Sequence, residues 1–361
     1  MNLNNIDNIS IHNKEVSSIE INNKVAWRIK EKKRIIDGQN FNVLVKDLNT
    51  TSSTTETNDT TITKIVFDYW SATYKTLLGN FTTGTDVSYS NDGSIRLFYD
   101  NTNNIVYVLS PYRIKILNCS YLCQNLLALE EINFNNFDTS ENTSFERLFL
   151  SCSSLERQTG MENFDTSECT TMENMLRHIK LDKIGQDNTC DLNVSGWDTR
   201  KVTNMRQMFR NNQASYIDIS NFLTPVCNSF PTMFANCSNL VTLNMENIDM
   251  SLCDGTTTGT PQHNASDFLQ DCSNLTNLTF CKNLGVGYTQ SASAYQASIN
   301  LSKSPLLTHD SIMSVFNNIG RVSAGMFQPY IYMGSTNYSK VTIGERGLAE
   351  GKAWLVTSNS R

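Results

Sequence analysis

The sequence is poor in charge, in histidine and in long apolar runs, and each shortage excludes something. Only 18% of its 361 residues are Asp, Glu, Lys or Arg, against roughly 25% in soluble domains. With a net charge of -6 there is no Lys/Arg field of the size that displaces phosphate counterions, so no nucleic-acid partner is expected. No window holds the roughly 18 consecutive apolar residues of a membrane helix, so no membrane insertion is expected either. The opening Met1-Asn-Leu-Asn-Asn-Ile-Asp has neither the basic head nor the apolar run of a secretory signal. If it is the natural start, the usual bacterial export route is closed.

Reactive constellations are equally scarce. The four histidines, His12, His178, His263 and His309, lie in different regions. His309-Asp310-Ser311 is contiguous, and three side chains leaving one helical turn in different directions cannot form a nucleophile, base and orienter triangle. No Gly-x-Ser-x-Gly, phosphate-loop or His-Glu-x-x-His motif occurs. The ten cysteines contain no Cys-x-x-Cys pair to start a zinc site, and their share of the chain is far below that of small disulfide scaffolds. No catalytic residue, cofactor or metal ligand is therefore assigned, and an enzyme is not expected.

What is abundant is amide. Roughly 12% of the chain is Asn, so the polar surface is built from amides and hydroxyls, while 39% hydrophobic residues can supply a core along the whole length. The organising feature is a repeat. Leu122, Leu148, Met175, Met208, Met233 and Phe268 occupy equivalent positions, with spacings of 26, 27, 33, 25 and 35 residues. Three residues earlier stand Cys119, Phe145, Met172, Met205, Phe230 and Ala265, an i, i+3 pairing that predicts a short helical turn. Thr143, Thr170, Thr203 and Asn228, five residues before their anchors, are helix-capping types.

A second signature follows: Leu129/Ile132/Phe134, Leu240/Leu243/Met245 and Leu275/Leu278/Phe280 end in strict alternation, which predicts a short strand. Leu192/Val194 and Ile217/Ile219 repeat the pair, so the segments around Ile132, Leu192, Ile217, Leu243 and Leu278 are expected to stack as parallel strands. Cys152, Cys237 and Cys272 recur in Cys-Ser-(Ser/Asn)-Leu and are expected as buried, reduced thiols. The repeat core is read as Met172, Met175, Met205, Met208, Phe230 and Met233 with these three cysteines. Asp138, Asp165, Asp198 and Asp249 also recur, as turn formers or as a calcium ladder. Trp27 and Trp197 read as core residues ahead of sugar platforms.

These phrases, Asn-Phe-Asp-Thr-Ser, Val202-Thr203-Asn204-Met205-x-x-Met208-Phe209 and Cys-Ser-Ser/Asn-Leu, resemble the BspA-type leucine-rich repeat. The resemblance extends over roughly 62 to 361, with Arg157-Gln-Thr and Leu223-Thr-Pro225 departing from the pattern. It implies surface adhesion and partner binding in proteins of bacteria, some protists and their phages, and no catalytic residues. The expected fold class is an α+β solenoid of short strand plus short helix, flanked by small β-rich N-terminal domains and a C-terminal helix and strand cap.

The expected divisions are 1–36, a three-stranded meander read as an attachment element; 37–61, a polar linker; 62–117, a β-rich cap; 118–285, the repeats; and 286–361, a closing cap. Ile19, Ile21 and Trp27 are the attachment candidates, because so small a sheet is marginal alone and must dock on another part, a copy of itself or a larger assembly. The charge run Lys30 to Arg34 reads as a solvated strand end.

The expected function is a bacteriophage structural protein, fibre, tail or capsid decoration, assembled in the host cytoplasm and resident in the virion. It is joined to other virion proteins through its N-terminal region, and its repeat meets a host-surface protein or glycan. The alternatives are a bacterial cell-surface adhesin lacking its leader and a tail enzyme that cleaves glycans.

Overall fold

A computed structural model of the chain describes residues 9–11, 14–16, 18–21, 24–28, 32–49, 53–256, 265–289 and 298–360, with side chains from residue 33 onward. Mostly parallel and mixed β-sheets with few helices make up the fold. This corrects the expected α+β solenoid of alternating short strands and helices. Among the described residues the α-helices lie outside the repeat, at Gly38–Lys46, Ala72–Leu78, His309–Asn318, Gly334–Tyr338 and Ile343–Glu350, and the repeat itself holds one short 3-10 turn, Met161–Asn163.

The segments expected as short helices are hydrogen-bonded turns, and the backbone shows why. Each carries two left-handed residues four apart, Tyr121 and Asn125, Arg147 and Ser151, Asn174 and His178, Gln207 and Asn211, Thr232 and Asn236, Asp267 and Asp271, all with φ between 50° and 67°. A left-handed residue every fourth position cannot belong to a right-handed helix. Its reward is a ladder. The N–H groups of Cys119, Tyr121, Cys123 and Asn125 donate to the carbonyls of Ser144, Glu146, Leu148 and Leu150 in the next unit at 2.8–3.0 Å, while those of Leu122, Gln124 and Leu126 close tight turns within their own unit. A one- or two-turn helix would instead leave about four N–H and four C=O groups unpaired at its ends. The apolar spacing is shared by both geometries, which is why periodicity alone points to a helix.

The expected single stack of five strands is also divided. Ile132 lies in Glu131–Asn133, within a six-stranded sheet that includes Arg157–Thr159, Lys64–Tyr69 and Ile105–Ser110. Leu192, Ile217, Leu243 and Leu278 lie in a five-stranded parallel sheet, where Lys183–Gly185 intervenes between Leu192–Asn193 and Tyr216–Asp218. That extra strand occupies the 33-residue unit and has only one buried apolar side chain, Ile184. The break falls where the polar Arg157–Thr159 replaces an apolar strand, and there a side chain bridges the sheets, Gln158 Nε2 donating to the carbonyl of Asp191 at 2.8 Å. The turn ladder runs on across the break, with Thr171 bridged to both Ser144 and Asn204.

Side chains close the first edge of the turn ladder and the last edge of the five-stranded sheet. The Asn42 amide, buried on the Gly38–Lys46 helix, donates to the carbonyls of Leu122 and Gln124, standing in for a preceding turn. At the last strand of the five-stranded sheet, Asn277–Thr279, Ser311 and Ser314 of the His309–Asn318 helix accept from the N–H groups of Leu278 and Phe280. Closed edges cannot template further strand addition. One hydrophobic cluster runs from Ile35 to Trp354, and a small second one, Val66, Phe98, Tyr107 and Leu109, lies under Trp70 and Tyr74.

At the N-terminus the expected three-stranded meander is two hairpins, Ile9–Ile11 with Lys14–Val16 and Ser18–Ile21 with Lys24–Arg28, the latter pairing Ile19 opposite Trp27. Of the expected charge run, Lys32–Arg34 is a strand paired in parallel with Arg113–Lys115, and the Arg34 guanidinium lies 3.7 Å over the Tyr89 ring. In the expected linker, Asp59 exchanges backbone bonds with Asn125 and Leu127, so residues 53–61 lie against the first turn.

Candidate binding face

The residues assigned to the repeat core all reach it. Met172, Met175, Met205, Met208, Phe230, Met233, Cys152, Cys237 and Cys272 are fully buried in the one cluster. The three cysteines fill the same slot of their units, donating to the carbonyls of Cys123, Phe209 and Phe234 at 2.9, 3.0 and 3.2 Å. Burial pushes the Cys152 and Cys272 thiols up to about 12 and Cys237 well above its ordinary value. Thiols so disfavoured as thiolates are poor nucleophiles. For Ile19, Ile21 and Trp27 only the backbone pairing is described.

The recurrent aspartates serve their turns. Oδ1 of Asp138, Asp165, Asp198 and Asp249 accepts the N–H two residues on, at 2.8–3.1 Å. The following threonines, Thr139, Thr166 and Thr199, donate to the next unit's carbonyls at Asp165, Asp198 and Leu223. Among the described residues no group of three or more His, Cys, Asp or Glu converges as a metal site. Ser311 Oγ is committed to the sheet edge, and His309 Nε2 pairs with Glu345 Oε1 at 2.9 Å. Trp197 is buried with its Nε1 donating to the Met161 carbonyl, and Trp354 likewise to that of Gly320.

The amide surplus is also put to structural use. Asn136, Asn221 and Asn247 hold equivalent turn positions and donate to carbonyls of the preceding unit, Tyr112, Val194 and Ser220, at 2.7–2.8 Å. Buried inter-unit carbonyls are thereby paired without any charge being buried.

What remains outward is the solvent side of the turn ladder, and there the chain concentrates arginine. Arg147, Arg177, Arg206 and Arg210 come from three successive turns and influence one another's charge: burial first, then Arg210, Arg147 and Arg206, hold the Arg177 guanidinium below its ordinary value. Arg147 is neutralised by Glu56 at 3.3 Å and Glu146 at 3.5 Å and lies 5.3 Å from the Tyr121 ring centre. Arg206 faces Glu173 at 3.8 Å. Arg177 is held by neutral oxygens alone, Nη1 donating to Asn174 Oδ1 at 3.1 Å and Gln207 Oε1 at 2.8 Å. Arg210 has a buried Nε without a hydrogen-bond partner. Reading the sequence for chemistry by motif passed over these four. Aligning the turns column by column would have shown Arg177 and Arg210 two residues after consecutive anchors.

Residues 117–247 and 185–275 match the family described as Mycoplasma protein of unknown function, DUF285. This part of the chain is similar to that family. It is a family related to BspA-like repeats, which is the coarse part of the resemblance drawn from the motifs. No curated protein and no solved structure matches the chain.

Proposed function

We propose that the chain is a non-enzymatic bacteriophage structural protein, a fibre, tail or capsid decoration, that presents the turn-ladder face to a host-surface protein or glycan. The observation that carries this reading is the ladder itself: six turns in register present side chains in columns, an extended surface on which one partner spans several units. Support for the virion comes from sulfur. All ten cysteines are free and nine are buried, the state of a protein folded in a reducing cytoplasm; disulfides accumulate in exported proteins. The N-terminal hairpins would join it to other virion proteins or to copies of itself, because two-stranded sheets are marginal alone. The matched family carries a bacterial name, which keeps a bacterial cell-surface adhesin as the alternative.

The test is mass spectrometry of particles purified from an induced host together with binding of the purified chain to host cells. Presence in particles and saturable cell binding are expected. Recovery only from the bacterial envelope would replace the virion by the cell surface, and release of sugars or peptides from the host surface would overturn the non-enzymatic reading.

A further inference from the structure

Two arginines stand at equivalent positions of neighbouring turns on this face. His178 N–H donates to the carbonyl of Arg210 at 3.0 Å, so the turns bearing Arg177 and Arg210 are ladder neighbours, about 4.8 Å apart. Like charges directly opposite on adjacent strands are destabilising. The carboxylates nearby do not relieve them: Glu56 and Glu146 engage Arg147, and Glu173 engages Arg206, Asn204 and Asn174. Among the described residues the Arg210 side chain forms no hydrogen bond or ion pair, and its Nε is buried without a partner. Arg177 is half-buried and oriented through one nitrogen, Nη1, by Asn174 and Gln207, which leaves Nε and Nη2 uncommitted. One oriented guanidinium and one unengaged guanidinium, neither with a carboxylate partner, offer donors for a planar or tetrahedral anion.

We propose that the Arg177–Arg210 pair is the recognition point for an acidic polysaccharide, seating one carboxylate or sulfate group between the two guanidinium groups. Asn211 and Asn236, the latter donating to the former at 3.0 Å, continue the next column and offer amides to sugar hydroxyls. A nucleic acid is disfavoured by the net charge of -6, and a lipid surface by the lack of any exposed large hydrophobic residue in 171–179 or 204–212. The pair names the ligand class for the proposed adhesive face and rests on that reading for its setting.

Titrations of the full chain with alginate, dextran sulfate and neutral dextran test it, the first two separating carboxylate from sulfate. One of the two polyanions is expected to bind and neutral dextran not to. Affinity should fall at least about tenfold in R177Q/R210Q, as for the loss of charge-assisted bonds. R210Q alone should weaken binding without lowering Tm, since the Arg210 side chain holds nothing in the fold and its removal relieves the like-charge contact. R200Q, which removes an exposed guanidinium paired with Asp198, should bind as the parent does. Binding of neither polyanion, equal binding by R177Q/R210Q, or equal loss in R200Q would overturn the inference. Host-cell binding that survives R177Q/R210Q would sink the pair while leaving the adhesion reading intact. Polyanion binding through the pair without any cell binding would do the reverse.

Discussion

Ser311 Oγ accepts the Leu278 N–H at 2.8 Å and donates to the Thr276 carbonyl at 2.9 Å. One hydroxyl thus makes two of the bonds that a further strand would make to the last strand of the five-stranded sheet, and Ser314 Oγ makes another by accepting the Phe280 N–H at 2.9 Å. Ser311→Ala leaves the buried Leu278 N–H unpaired, while the Thr276 carbonyl keeps the Thr308 N–H at 3.0 Å, and a cost of about 1–3 kcal/mol is expected. Urea unfolding of the variant measures it. A change below about 0.5 kcal/mol would mean that the helix covers this edge by packing alone.

Ser151 decides between turn and helix by the sign of one substitution. Its φ of 65° is left-handed, so Ser151→Gly should stabilise by about 1 kcal/mol, because glycine adopts that conformation without strain. In a helix the same change would destabilise, by up to about 0.5 kcal/mol. The shift in urea midpoint gives the sign directly.

The buried thiols predict sensitivity to base. Cys152, Cys169, Cys227 and Cys272 are pushed up by burial to about 12, and Cys119, Cys123, Cys237, Cys253 and Cys281 rise by the same cause. Unfolded thiols lose their protons near pH 9, so above that the unfolded chain binds fewer protons than the folded one. The stabilisation is complete below about pH 9 and is lost as pH rises toward 12. Buried Lys46, lowered to about 8 mainly by desolvation, and Lys340 and Lys352, lowered by the same cause, act the other way below about pH 10.5, but they are three groups against nine. Under reducing conditions the urea midpoint should be lower at pH 10.5 than at pH 8. An equal or higher midpoint would contradict the burial of the thiols.

Cys190 is the half-buried thiol among ten. Labelling of the native protein at neutral pH should therefore give about one fast thiol, with the remainder reacting only as the chain unfolds. Cys190→Ser should remove the fast phase. Rapid labelling at Cys152, Cys237 and Cys272 would show that their slot is open.

The candidate binding face was only partly legible. Its column spacing is written in the anchors from Leu122 to Phe268, but the importance of Arg177 and Arg210 depends on where Glu56, Glu146 and Glu173 lie. Glu56 comes from 91 residues before Arg147, and no local pattern announces that meeting.

The sequence by itself determined the period, the buried positions and the turns: apolar residues at Met172, Met175, Met205, Met208, Phe230 and Met233 recur because burial depends on side-chain chemistry, and Asp-Thr turns recur because an Asp side chain organises its own backbone. Tertiary structure decided the hand of the backbone and the partner of each N–H group. An i, i+3 apolar pair is satisfied equally by a helix and by a turn with a left-handed residue. What separates them is whether alternate N–H groups bond within the unit or to its neighbour, and that choice exists only once the neighbour is in place. The same holds for the broken sheet: Arg157–Thr159 could be seen to lack apolar residues, but the strand Lys183–Gly185 and the Gln158 bridge arise only where two units face each other.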